Sequence, residues 1–297
     1  MAVGDVSLGW EVGRKIKNQG PGAPWVGVKR YFDQADLVVA NLECVVSNMG
    51  SPWPRKRIHL RAPVAGIDSL AAGGIDLVTV ANNHALDFGV AGFTDELRRL
   101  DARGIEYAGG GLDRDAARAP NIVEENGLRI AFLGYVMPMS GKYAFNTRQW
   151  EATANRAGLA IGTPENVGPD VARAREQADL VVVMIHGGLE YRGNPTATQR
   201  AFANAALNAG ASLVLGHHPH VLQGYAKRGD KLIAFSLGNF VFARFDGRPN
   251  DSAILDVTLT PDGVASLAWI PVVIRGGIPR PATAAEARRI MGWLPAL

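Results

Sequence analysis

Three of the chain's six histidines, His217, His218 and His220, stand within four residues in the stretch LVLGHHPHVLQG. Imidazole exchanges protons near neutral pH and is the commonest side-chain metal ligand. Other groups with similar potential each follow a short apolar run. Asp5 follows the first run, and Asn41 and Glu43 end ADLVVANLE. Asn82, Asn83 and His84 end GIDLVTVANNH, His186 closes ADLVVVMIH, and Asn239 sits in SLGNF. Imidazole and carboxylate suit zinc, manganese and iron, and an amide oxygen can fill a harder position. Two cations about 3.5–4 Å apart need a carboxylate between them, and such a pair suits in-line displacement at phosphorus. Singly, each feature has a blander reading. An aspartate after a strand is usually a turn residue, paired asparagines usually cap a helix, and a lone histidine usually belongs to a hydrogen-bonded core. Their recurrence at the ends of five runs favours a metal site.

The elements that must position these groups alternate along the chain. Between the apolar runs lie helix-like segments: APVAGIDSLAAG, VAGFTDELRRLDARG, VGPDVARAREQA and TATQRAFANAALNAG. That alternation predicts α/β units, and runs that are apolar throughout predict strands covered on both faces. Ligands of open α/β sheets sit beyond the carboxyl ends of the strands. Strands lying side by side would therefore bring the polar tips to one rim. After Lys231, KLIAFSLGNFVFA, SAILDVTLT and GVASLAWIPVVI predict a meander that extends or backs the sheet. ATAAEARRIMGWL predicts a terminal helix over 283–294, with Thr283 as its cap. The chain reads as one domain over 1–297. Its least regular stretch, 137–158, is expected to be a lid or a substrate-facing insertion.

Composition narrows the field further. The formal charge is +3 with scattered cations, so no nucleic-acid tract is expected, while an anionic ligand is allowed. Cys44 is the only cysteine, which excludes an internal disulfide. No apolar run reaches membrane-spanning length, and no leader is visible. A soluble chain is expected as given, cytoplasmic, or extracytoplasmic if a leader or anchor was removed.

The ordered set GDVSLG, ANLECVVS, ANNHALDFG, HGGLEY, GHHPHV and SLGNFVF resembles the poly-gamma-glutamate capsule-synthesis proteins of the CapA type. RAP and GGGLDRDAARAP match as linking segments, and the likeness runs from about Val3 to about Ile274. These proteins are similar in fold to the calcineurin-like metallophosphoesterases. The resemblance therefore implies an α/β fold with a layered β-sheet core flanked by helices. It also implies two divalent metal ions, manganese, zinc or iron. Asp5 and His220 would hold the first, and Asn83, His186 and His218 the second, with Glu43 as the bridging carboxylate. His84, Asp87 and Glu190 would form the catalytic set, His84 as acid or base and the two carboxylates in orienting roles. Ser7 stands where the wider superfamily has a histidine, and Gly187 where the family often has tryptophan. His217 matches no ligand position and is expected to support the ligands or to be exposed. Arg61 could meet an anionic substrate, although an exposed arginine is the blander account.

The activity so implied is metal-dependent, phosphoesterase-like hydrolysis at a dinuclear centre, on an anionic small molecule, a peptide or polyglutamate. Two alternatives stand beside it. One is a metal-dependent peptide epimerase that inverts a Cα centre. The other is a non-catalytic accessory protein that binds capsule polymer.

Overall fold

The computed structural model describes residues 1–140 and 145–297. The expected insertion over 137–158 thus includes four residues, 141–144, that lie outside the described residues.

Two sheets face one another. The first runs in the order Ile278–Pro281, Gly263–Arg275, Asp251–Thr260, Ala2–Val6, Val39–Leu42, Leu77–Thr79, Glu106–Ala108, and Asn239–Val241 also pairs with Ala2–Val6. The second runs Leu222–Arg228, Lys231–Leu237, Leu213–His217, Leu180–His186, Leu128–Val136, Asn121–Glu125. In each sheet the strands that end at the polar rim are parallel to their neighbours there: Ala2–Val6 with Val39–Leu42 and Leu77–Thr79, and Leu128–Val136 with Leu180–His186 and Leu213–His217.

The apolar runs are continuous because each strand serves two cores. In Leu180–His186, Val181, Val183 and Ile185 pack with the helices Pro164–Arg175 and Ala197–Asn208. Leu180, Val182 and Met184 turn the other way, toward Ala2, Val39, Leu77 and Leu255 of the facing sheet. This is the two-residue period of a strand with both faces buried. Each such side chain removed from water contributes roughly 1.5–3 kcal/mol. On the far side of the first sheet, the helices Trp10–Gln19, Ala65–Gly73 and Gly89–Arg103 pack Val12, Ile16, Leu70, Phe93 and Leu97 against Val3, Ala40 and Val78. The result is an α/β core of layered sheets flanked by helices.

The same parity aims the site. His186 continues the inward row of Val182 and Met184, and His217 continues that of Leu213 and Leu215. In the first sheet, Val39 faces inward and Ala40 outward, so Asn41 faces inward. Asp5 would face outward under strict alternation from Ala2. A register shift places three steps, Ala2 to Asp5, opposite two steps, Val39 to Asn41. That bulge reverses the parity and sets Asp5 beside Asn41 on the inner face.

The strands after Lys231 differ from the expected meander. Lys231–Leu237 belongs to the second sheet and Asn239–Val241 to the first. The chain crosses between them at Gly238, whose φ of 65° suits glycine. The terminal helix is Ala284–Met291, closed by a reciprocal cap between Thr283 and Glu286. Among the described residues no helix is long and apolar enough to cross a membrane.

Candidate metal centre

The two rims meet. Asp5, Glu43 and His186 present ligand atoms that all lie within 4.8 Å of one another, and all three residues are buried. Glu43 stands at the middle. Its Oε1 is 3.9 Å from His84 Nε2, 4.0 Å from His186 Nε2 and 3.9 Å from His220 Nε2. His220 Nδ1 lies 3.3 Å from Asp5 Oδ2, and His217 Nδ1 lies 3.5 Å from Asp5 Oδ1. Asn83 Oδ1 is 2.9 Å from His186 Nε2. The His218 ring centroid is 4.8 Å from that of His186. Asp5, Glu43, Asn83, His84, His186, His218 and His220 are thus brought to one place, with Asp87 directly behind His84.

An amide network holds them there. Asn41 Nδ2 donates to Asp5 Oδ1 at 2.8 Å and lies 3.1 Å from His186 Nδ1. Asn82 in turn fixes Asn41, donating to its Oδ1 at 3.1 Å and to the Leu42 carbonyl at 2.8 Å. Asn239 Oδ1 is 2.8 Å from His220 Nδ1. Such partners orient ligating imidazoles and carboxylates.

Burial and charge sort the protonation states. Burial, reinforced by the charge of Asp5, raises the Glu43 carboxyl well above the usual range. Burial alone would also raise Asp5, but His217 and His220 against it hold it well below that range. Burial lowers His186 well below its ordinary value, helped by His218. It likewise lowers His218 to about 3, helped by His220, and His84 to about 4, helped by Lys56. These three imidazoles are neutral at pH 7 and offer lone pairs. His220 resists the same burial, because Glu43 and Asp5 raise it to about 9.

The donor set fits divalent cations. Glu43 Oε1, both ring nitrogens of His217 and His218 Nδ1 are buried with no hydrogen-bond partner. Buried polar atoms are seldom left so, and here they gather around two carboxylates. Ser7 Oγ, at the position where a histidine would be expected, is also buried without a partner.

Several residues sit where sequence patterns offer little warning. His217 is fully buried beside Asp5, so the exposed option is excluded. Lys56 is the residue that sequence reasoning missed. Its side chain is 8% exposed, and its ammonium pairs with Asp87 and lies 3.0 Å from His84 Nδ1. It also donates to the Asn83 carbonyl at 2.5 Å, and the Phe145 and Trp150 rings each lie 5.2 Å away. Asp87 Oδ2 takes the other side of His84 Nδ1 at 2.6 Å and accepts from the Leu60 amide at 2.7 Å. Nothing in PWPRKRIH marks Lys56 as the buried cation among its neighbours. Glu190 is exposed at the mouth. Arg61 is tied elsewhere, donating to the Met49 and Gly50 carbonyls and lying 3.5 Å over the Phe88 ring.

Two depressions flank the cluster and share Glu190. One, about 570 Å³, borders His84 and His220, and the other, about 610 Å³, borders Asn83 and His218.

The chain is similar to several known proteins. The model of the family described as bacterial capsule synthesis protein PGA_cap matches residues 1–244. The PGA biosynthesis protein CapA of Bacillus subtilis is 32% identical over 281 residues, covering 94% of this chain and 72% of that protein. The capsule biosynthesis protein CapA of Bacillus anthracis is 32% identical over 293 residues, covering 95% and 69%. A probable polyglutamine synthesis accessory protein of Mycobacterium tuberculosis is 29% identical, covering 69% of this chain and 55% of its own. Among solved structures, a hypothetical protein from Thermus thermophilus superposes with TM-score 0.55 at 16% identity, over 91% of this chain and 97% of that one. A putative 5'-nucleotidase from Staphylococcus aureus gives 0.54 at 15% identity, over 98% and 57%. At these identities the structural likeness shows the fold, which is of the metallophosphoesterase type.

Proposed function

The chain belongs to the bacterial capsule synthesis protein family, and from that premise we propose that it is a divalent-metal-dependent hydrolase of poly-gamma-glutamate capsule synthesis, with a dinuclear centre at the Glu43 rim. The observation that carries the reading is Glu43 Oε1, buried without a hydrogen-bond partner and 3.9–4.0 Å from three imidazole nitrogens. Asp5 and His220 would hold one cation, Asn83, His186 and His218 the other, and Glu43 would reach both. When bound, such a pair acidifies water to a nucleophile near neutral pH and offsets charge on the substrate oxygen.

The chain's own groups do the rest. Asp87 accepts at His84 Nδ1 and fixes the imidazole so that Nε2 faces the cluster. From there the neutral imidazole takes a proton from the attacking water at Nε2 and passes it to the leaving oxygen. Lys56 compensates Asp87, so the buried carboxylate does not stand as an unpaired charge. The substrate is anionic. The name of the Bacillus subtilis relative, a PGA biosynthesis protein, points to poly-gamma-glutamate or one of its precursors.

The test is metal analysis of the purified chain, followed by assays with manganese on bis(p-nitrophenyl) phosphate and on defined oligo-gamma-glutamates. Glu43→Gln should lose bound metal and turnover together. His84→Ala should keep metal and lose turnover by about 100- to 10,000-fold, the usual contribution of general acid–base catalysis. Full activity in chelator-stripped protein would falsify the reading. Solvent deuterium entering Cα without bond cleavage would replace it with epimerisation. Stoichiometric metal with neither reaction would replace it with an accessory role.

A further inference from the structure

The depression beside His84 and His220 is lined by chemistry that the hydrolytic reading leaves unused. Its walls are Trp10, Tyr191, Phe242 and Phe245, and two arginines, Arg57 and Arg244, also line it. His220 joins that wall directly, with its ring 5.4 Å from Phe242 and 5.1 Å from Phe245. Arg244 lies 4.3 Å over the Trp10 ring and only 3.6 Å from Glu11 Oε2, beyond hydrogen-bond length. Neither Arg57 nor Arg244 makes a hydrogen bond among the described residues. Tyr191 is 52% exposed and Ile58 52% exposed at the mouth, so large apolar side chains are held open to solvent there.

The backbone is strained around the same depression. Seven non-glycine residues among those described have positive φ, and four of them line this wall: Trp10 at 47°, Tyr191 at 61°, His220 at 56° and Arg244 at 72°. Each such residue costs on the order of 1–3 kcal/mol, and these outliers gather at ligand sites.

We propose that this depression is a subsite for a carboxylate carried on a short flexible apolar stem, as in an acidic peptide unit, with Arg57 and Arg244 as its carboxylate anchors. A guanidinium matches a carboxylate by two parallel hydrogen bonds. The stem packs on the Phe242 and Phe245 side. A flat ring fits less well. The phenyl, phenol and indole neighbours of the wall meet edge-on, at 60° for Trp10 and Phe242, 62° for Phe242 and Phe245 and 61° for Tyr191 and Phe245, and the His220 ring is tilted by 37° to Phe245 and 31° to Tyr191. No parallel pair is formed there to sandwich a base, and Arg244 covers one face of Trp10. Glu190, shared by both depressions, repels a second carboxylate at the boundary and sets the chain's register across the cluster.

The subsite rests on the hydrolytic reading for the place of the reacting bond, but its test needs no turnover. Binding of penta-gamma-glutamate and of its neutral amide analogue, penta-gamma-glutamine, is measured by calorimetry on manganese-loaded protein at low salt. The native chain should bind the acidic peptide at least tenfold more tightly. Arg57→Gln with Arg244→Gln should abolish that preference, and the lysine pair should restore part of it, since a point charge lacks the fork. Equal affinity for the two peptides in the native chain, or a preference that survives the double glutamine variant, would overturn the subsite. No binding of either peptide would overturn it as well. Failure of the hydrolytic reading shows separately, as absent turnover in the native chain.

Discussion

At the scale of residues, the site depends on which polar groups are buried together more than on which are present. His84 and Asp87 are three residues apart in a readable motif, yet the cation that completes them is Lys56, from a loop with no visible pattern. Lys56→Met keeps the length of the side chain and removes the charge, leaving Asp87 with only His84 and the Leu60 amide. We expect turnover to fall about ten- to hundredfold, the usual cost of losing a partner behind a catalytic or ligating group, with metal content unchanged. Metal lost in parallel would place its role at Asn83, whose carbonyl it also holds. The ligand candidates themselves were legible, because each ends an apolar run. Lys56 and the burial of His217 were not, because burial of a single loop cation or of one histidine in HHPH is decided by distant packing. His217 follows the inward row of Leu213 and Leu215, a fact of sheet parity rather than of local sequence.

At the scale of elements, the helix Gly89–Arg103 carries an acid inward. Glu96 is fully buried, its Oε2 accepts from the Val46 amide at 2.5 Å, and its Oε1 has no partner. Burial raises this carboxyl from 4.5 to about 8. The folded state thus keeps a proton that the unfolded chain gives up. The stability Glu96 contributes is fully present below about pH 4.5 and is lost as pH rises through about 8. Thermal unfolding against pH should show Glu96→Gln gaining stability relative to the native chain as pH rises from about 5 to 8, over and above the opposite contribution of His84, His186 and His218, whose lowered values favour the fold as pH rises. A difference between the two proteins that stays constant over that range would assign the dependence to other groups. Elements were read well where the pattern was strong: β-branched runs gave strands, and Thr283 marked the start of the last helix. The bulge between Ala2 and Asp5 was invisible, since one extra step in a strand leaves no compositional mark. The split of the run after Lys231 into two sheets was also hidden, although Gly238 sits at the crossing.

At the scale of the molecule, the candidate ligands come from opposite sides of an apolar interface. Asp5, Glu43 and Asn83 belong to the first sheet and its loops, and His186, His218 and His220 to the second. A cation held between them ties the sheets together, so loading is expected to stabilise the whole fold. At a hundredfold excess over the dissociation constant the gain is about 2.7 kcal/mol, or a rise in Tm of roughly 5 °C. Scanning calorimetry with chelator and then with manganese reads it, and His186→Ala should blunt the response. An equal Tm in both conditions would mean that the sheets are joined by packing alone. The first sheet has one more property. Ala2–Val6 lies between Val39–Leu42 on one side and, on the other, Asp251–Thr260 at Ala2 and Asn239–Val241 at Asp5. On the ribosome, the second neighbour emerges only on the order of tens of seconds after the first strand, at about 5–20 residues per second. Through that wait the nascent chain shows a bare hydrogen-bonding edge, so the order of synthesis leaves the Asp5 strand half-sealed until the strands after Lys231 are made.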